Sequence, residues 1–479
     1  MFLGIDIGTS GVKAALLDEY GAVVAQASAP LCVLRPHPLW SEQAPDDWWV
    51  ATDVSVQALP VELRRHVRAI GLAGQMHGAI LLGANDRPLR PAILWNDGRS
   101  FNQCGDIEAN EPGSRAITGN LMMPGFTAPK LAWVSQNEPE IFAQVKTVLL
   151  PKDYVRLSMS GDKASDLSDA AGTLWLDVGR RDWSDAMLAA THLTRAQMPA
   201  LFEGNQVTGV LRAEIARQWG MEPVPVAAGA GDNAAGAVGV GVVNEGDALL
   251  SLGTSGVIFV ATGQFRPNPA RAVHVFCHCL PEMWHQMSVH LSAASCLDWA
   301  ARQVGMDVPG LLRCAESAEA DTVEELFLPY LSGERTPHND PHVRGAWLRL
   351  DNETSPARLA RAVLEGVAFA HADGLDALRE AGTQVEELAV IGGGSQSLFW
   401  GRIFAAALNV RLAYLEGGDV GPALGAARLA RMALTGESAD QVCTRPPVRH
   451  IMEPDPRQVE ILAPKREAFR RAYAAIKSL

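Results

Sequence analysis

The chain has 479 residues, of which 48% are hydrophobic and 20% charged, with a formal net charge of −13. That length favours two large domains over a single core, and an acidic balance without any basic run argues against nucleic acid as a partner. Seven cysteines lack a disulfide-like framework, and neither a signal peptide nor a bilayer-spanning run is visible, so a cytoplasmic protein with no membrane partner is expected.

Leu3 to Leu17 reads LGIDIGTSGVKAALL: an apolar run, a Gly-containing turn and a second apolar run, the pattern of two antiparallel strands. Glycines at both ends of the turn suit close backbone approach, and the hydroxyls between them can join a nest for phosphate oxygens. Asp6 interrupts an apolar strand, where an unpaired charge is costly. A cation or phosphate role for it is favoured over a structural one, because the turn follows at once. Next, Pro45 with Asp46 and Asp47 reads as a helix start. Val67 to Leu82 is a strand broken by glycines, and Gly74 to Gly78 is expected to expose Gln75, Met76 and His77. His77 is balanced between a core residue and a ligand contact. Asn96 and Asp97 in PAILWNDGR either cap a helix or face the same cleft.

Met122 to Val134 leads into a helix after Pro129, and Gly161 to Leu176 is dense in Ser and Asp, as caps and turns would be. Twelve tryptophans are present; sugar stacking is one use, core packing the commoner one. In Pro223 to Val243 an apolar strand ends in Gly229 and Gly231, then Asp232 and Asn233 open a helix of small residues. Asp232 as a plain N-cap is the bland alternative.

The hairpin then returns. Leu249 to Ala261 reads LLSLGTSGVIFVA, so Gly8 to Val12 recurs identically as Gly253 to Val257, and Ser251 stands where Asp6 stood. Cys277, His278, Cys279, His285 and His290 show no zinc spacing, and sheet packing is favoured for them. IGGGSQS at Ile391 to Ser397 takes the place of the glycine break, and Gly417 to Ala430 repeats Gly-Asp before a small-residue helix. The order hairpin, glycine break, Gly-Asp helix thus occurs twice. Two related α/β domains, 1–241 and 242–479, facing each other across a cleft, are expected.

A P-loop is excluded, since no lysine follows a glycine; GAGDNAAG has the wrong spacing for a dinucleotide turn; no GxSxG elbow exists. Paired phosphate turns, a strand carboxylate and a carboxylate at a helix start suit phosphoryl transfer, with Asp232 as base and Asp6 on the metal side.

The paired hairpins, with GQMHGA, LLPKDY, GDNAAGAVGVG, PYLSGERTPHN and IGGGSQS, resemble the FGGY carbohydrate kinases of the actin and hexokinase ATPase superfamily over essentially the whole chain, and more narrowly their D-xylulose-phosphorylating members. The resemblance implies ribonuclease-H-like folds in both domains and transfer of the ATP γ-phosphate to a terminal sugar hydroxyl. It implies D-xylulose 5-phosphate as product and Mg²⁺ as cofactor. The N-terminal domain would bind sugar and carry the base, the C-terminal one the nucleotide. Asp232 falls on the catalytic base and Asp6 on the carboxylate near Mg²⁺. Met76 and His77 fall on the sugar-contacting pair, with Asn233 beside the base. Thr9, Ser10, Lys13 and Thr254 fall on phosphate turns, and Gly393, Gly394 and Ser397 on the nucleotide-side loop. After Gly394 the Ser-Gln-Ser departs from the family pattern. Another polyol or sugar acid (ribulose, gluconate or glycerol) is the alternative substrate. A chaperone-type ATPase or a non-catalytic sugar sensor is the alternative class. A homodimer is allowed.

Overall fold

A computed structural model describes residues 1–416 and 421–477. The first sheet is built from Phe2–Ile7 (β1), Gly11–Leu17 (β2), Val23–Pro30 (β3), Ala69–Gly74 (β4), Val207–Val210 (β5), Pro225–Ala227 (β6) and Ala230–Gly231 (β7). Its order is β5-β6-β4-β1-β2-β3, with β7 also on β4. β1 runs antiparallel to β2 and parallel to β4. The second sheet takes Ala248–Leu252 (β8), Gly256–Thr262 (β9), His274–Cys277 (β10), Trp284–His290 (β11), Glu387–Ile391 (β12), Arg411–Leu415 (β13) and Val448–Met452 (β14). Its order is β10-β11-β9-β8-β12-β13-β14. From β3 to β5 and from β11 to β14 the two sheets follow the same plan, so the repeat read from the hairpins extends through both. β1 is covered on both faces: Leu3, Ile5 and Ile7 are buried on one, and Phe2 and Gly4 on the other.

The identical pentapeptides fold differently. In the first hairpin Ile7 pairs Val12 and Gly8 N–H donates to Gly11 C=O at 3.0 Å. In the second, Leu252 pairs Gly256 and Gly253 N–H donates to Ser255 C=O at 3.1 Å. Equal sequence therefore does not give equal turns here; the flanking strands set a register one residue tighter in the second copy.

The helices that place the site are Thr127–Asn137 (α1), Pro151–Ser160 (α2), Leu167–Ala171 (α3), Asp232–Gly239 (α4), Pro356–Glu380 (α5) and Pro422–Thr435 (α6). The sheets divide between 231 and 248, but α6 does not respect that division. It lies on β1 and β4 of the first sheet and against α4. Small residues allow this approach. A Cβ on Gly4 would sit 1.8 Å from Ala423 O, one on Gly71 1.9 Å from Ala426 O, and one on Gly425 1.8 Å from Ala235 O. The Gly418-Asp419 pair expected before this helix lies outside the described residues. Among the described residues no helix is long and apolar enough to cross a membrane.

Candidate active site

Asp232 is the first residue of α4, and Gly231 precedes it as the cap, so the plain N-cap reading does not hold. One oxygen of its carboxylate, Oδ1, accepts from Asn233 N at 2.7 Å and Asn233 Nδ2 at 2.9 Å. Oδ2 is left for another partner. Burial raises its pKa to about 6, against the lowering effect of the Asn233 bonds. Asp232 and Asn233 line a cavity of about 270 Å³ together with Met76 and His77, which suits a five-carbon sugar in scale.

The glycine break differs from expectation. Gln75 and Met76 are buried, and only His77 is partly open. His77 holds a left-handed backbone, φ 70°, unusual for a residue with a side chain. Three bonds hold it there. Its carbonyl accepts from Lys130 Nζ at 2.7 Å and from Thr127 Oγ1 at 3.2 Å, and its Nδ1 lies 2.7 Å from Gly172 O. Lys130, on α1, is fully buried and donates also to Gly125 O at 2.8 Å. Burial pushes the His77 pKa down to about 3, so the ring is neutral. Asp97 neither caps a helix nor faces the cleft: it is buried, accepts from Ser41 N at 2.6 Å and pairs with Arg99 at 2.7 Å.

Asp6, on β1, has a buried oxygen, Oδ1, with no hydrogen-bond partner. Burial first, and the Asp232 charge second, raise its pKa to about 7, against the opposing pull of Lys13, its neighbour across the hairpin. A buried carboxylate with an orphaned oxygen, close enough to Asp232 to feel its charge, is chemistry that fits a hard divalent cation such as Mg²⁺. Asp232, Asn233, Ser251, Gly392 and Gly421 line a passage of about 350 Å³ that shares Asp232, Asn233 and Val257 with the sugar-sized cavity. Lys13 Nζ lies beside Gly421 at its edge: a Cβ there would be 4.0 Å away. Ser10 and Thr254 are exposed at their turns. Thr9 is committed elsewhere: its hydroxyl donates to Gln75 Oε1 at 3.0 Å and accepts from Trp95 Nε1 at 3.0 Å.

Beyond the passage, Gly393, Gly394 and Ser397 line a cleft of about 480 Å³ with Leu297, Pro309 and Trp400. Gly393 is exposed; Gly394 is a packing position, where a Cβ would lie 2.7 Å from Leu252 Cβ. Ser397 caps the helix Leu398–Leu408, accepting from Trp400 N at 3.2 Å. Asp232 and Asn233 line both the cavity and the passage. A larger polar cavity of about 520 Å³ contains none of the candidate residues, and both of its arginines are paired, Arg266 with Glu245 at 3.0 Å and Arg445 with Glu387 at 2.6 Å.

Sequence reading missed part of the cavity wall. Trp95, Phe126, His274, Phe276 and Arg335 also line it, so the second half of the chain helps to enclose the sugar-sized space. Arg335 Nη1 lies 3.4 Å from His274 Nε2. Trp95 and Arg335 stand in PAILWNDGR and PYLSGERTPHN, so the stretches were marked but their roles were not. His274, which no sequence motif singles out, sits on β10 with its ring stacked on Phe276 at 5.8 Å and reaches the wall. Cys277 and Cys279 are buried, and among the described residues no group of three or more ligand-type side chains is placed to hold a metal.

The model of the FGGY family of carbohydrate kinases, N-terminal domain, matches residues 1–239, and the C-terminal domain model matches 248–434. The chain is 55% identical over 482 residues to a xylulose kinase of Escherichia coli K12, covering 100% of both chains. It is equally similar, with the same coverage, to a xylulose kinase of Klebsiella pneumoniae. Among solved structures, a xyloylose kinase from Brucella ovis superposes with a TM-score of 0.97 at 50% identity, covering 100% of this chain and 99% of that one.

Proposed function

We propose that this chain, which belongs to the FGGY family of carbohydrate kinases, transfers the γ-phosphate of ATP to D-xylulose and yields D-xylulose 5-phosphate and ADP. The observation that carries the reading is the 55% end-to-end identity to xylulose kinases, joined to a carboxylate that lines both a sugar-sized cavity and the passage beside it.

The sugar enters the cavity with its terminal hydroxyl toward Asp232. Oδ2 accepts the hydroxyl proton as the oxygen attacks the γ-phosphorus, and the bond to the bridging oxygen of ADP breaks. Asn233 holds the other oxygen, so the base presents Oδ2 in a fixed direction. His77 receives a sugar hydroxyl at Nε2. Backbone N–H groups of the two GTSG turns, with Lys13, face the phosphates, and the Gly393 cleft takes the base of the nucleotide. Asp6 would hold Mg²⁺, which supplies charge neutralisation on the phosphates when bound. Residues 1–241 supply the base and most of the sugar contacts; 242–479 supply the nucleotide cleft and close the sugar cavity with His274 and Arg335. Seven free cysteines suit a reducing, cytoplasmic setting.

A coupled ATP-consumption assay over a panel of ketoses, polyols and sugar acids tests the reading. D-xylulose should give the highest kcat/KM. A higher value for ribulose, gluconate or glycerol would overturn the substrate assignment while leaving the kinase chemistry.

A further inference from the structure

We propose that α3, clamped by a buried cluster of Lys152, Asp166 and Ser168, is a positioning element that fixes the base Asp232 and the sugar-facing His77 relative to each other. The proposal rests on the roles given to those two residues above, and none of the three cluster side chains lines the sugar cavity.

Each end of α3 holds one site residue. At its start, Ser168 Oγ accepts from Gly231 N at 3.1 Å, one residue before Asp232. Ser168 gives its own proton to Asp166 Oδ2 at 2.5 Å, so its oxygen is turned toward Gly231 as an acceptor. Just past its end, Gly172 O binds His77 Nδ1 at 2.7 Å. Met76 is wedged between the two ends. A Cβ on Gly231 would lie 2.9 Å from Met76 Cγ, and one on Gly172 2.9 Å from Met76 Cε and 2.6 Å from His77 Cε1.

A helix of five residues cannot hold itself in place. Asp166 caps it, accepting from Ser168 N at 2.7 Å and Asp169 N at 3.3 Å. Lys152 Nζ then ties α3 to α2, lying 2.9 Å from Asp166, 3.2 Å from Asp169 and 2.6 Å from Asp153, with all four side chains fully buried. One turn further along α2, Arg156 donates to Ala227 O at 2.8 Å and to Ala228 O, the residues that lead into β7. The same helix α2 therefore grips both α3 and the strand that delivers Asp232. Such a clamp matters because a misplacement of about 1 Å costs about a hundredfold in rate.

Removing Lys152 would strand three buried carboxylates, so the test uses milder variants in the full chain: Ser168→Ala at one end of α3 and Gly172→Ala at the other. Steady-state kinetics with D-xylulose and ATP, and thermal unfolding, are measured for both, with Asp232→Asn alongside. Ser168→Ala should lose about tenfold or more in kcat with an ATP KM within about twofold of wild type. Gly172→Ala should raise the sugar KM by about tenfold by displacing His77, again sparing ATP. A packing role alone would lower the melting temperature without this division between kcat and sugar KM. Wild-type kcat in Ser168→Ala, or a wild-type sugar KM in Gly172→Ala, overturns the proposal. If Ser168→Ala fails to fold, Gly172→Ala still decides. If Asp232→Asn keeps most of its turnover, the base assignment fails instead; if it is inactive while Ser168→Ala is normal, only the positioning role fails.

Discussion

His77 Nδ1 lies 2.7 Å from the carbonyl oxygen of Gly172, an acceptor only, so Nδ1 carries the proton and Nε2 is left as an acceptor. Burial holds the ring neutral, with a pKa near 3. A ring that cannot charge contributes no titration of its own to sugar binding. His77→Ala should raise the D-xylulose KM about tenfold, the worth of one good hydrogen bond to a buried partner, with the ATP KM unchanged. A shifted ATP KM with an unshifted sugar KM would remove His77 from the sugar site.

Asp232→Asn keeps the size of the side chain but cannot take the proton of the attacking hydroxyl. General-base catalysis is worth about 10² to 10⁴ in rate, so turnover should fall by that order while the fold and ATP binding persist. Retention of most xylulose-dependent turnover by a folded variant would end the base assignment.

The base must be ionised to work. With its pKa raised to about 6, Asp232 is protonated in acid, so log kcat/KM should decline with unit slope as pH falls below that value. An unperturbed carboxyl would place the bend near pH 4. A profile flat down to about pH 4.5 would contradict the desolvated carboxyl.

Asp6 links pH to stability. Its folded pKa is raised to about 7 from an ordinary 3.8. Between those values the folded chain keeps a proton that the unfolded chain has released, so this stabilisation is complete in acid and is lost as pH rises through about 7. A divalent cation can take the place of that proton. Mg²⁺ with a non-hydrolysable ATP analogue should raise Tm more at about pH 8 than at about pH 5, and that difference should vanish in Asp6→Asn. An equal response in the variant would count against Asp6 as a metal ligand.

The local patterns were legible where they reported backbone geometry. Both hairpins, the glycine break and the Gly231-Asp232 helix start could be read because turns and strand alternation are written in neighbouring residues. The cavity wall was not, because Trp95, Phe126, His274 and Arg335 meet only through the packing of distant segments. Gln75 looked exposed between glycines, yet it is drawn inward by Thr9 and by Gln43, which accepts from its Nε2 at 3.0 Å. The repeat also overstated itself: identical GTSGV copies make different turns, since register belongs to the sheet. The LLPKDY stretch marked the resemblance, but a buried lysine among three aspartates is visible only in three dimensions.

The contact between α6 and β4 leaves no room for a methyl group. Gly71→Ala would drive a Cβ to within 1.9 Å of Ala426 O, and backbone must move to relieve it. Overpacking of this kind costs about 1–3 kcal/mol, and a backbone obstacle puts this case at the upper end. Thermal and denaturant unfolding should show that loss. Gly236→Ala, on α4 with open space around it, should be neutral or slightly stabilising. Equal stabilities for the two variants would mean the helix is not seated as described.

Because α6 comes from residues 422–435 yet covers β1 and β4, the order of synthesis and the order of assembly cannot coincide. The first strand to leave the ribosome is among the last to be sheltered. Until nearly nine-tenths of the polypeptide has emerged, a glycine-floored face of the first sheet stays bare to water and to chaperones. The first sheet therefore cannot complete its packing without a helix from the second half of the chain. Loss of the C-terminal sixty residues would therefore strike first at the N-terminal sheet that carries Asp6, far from the cut in sequence and next to it in space.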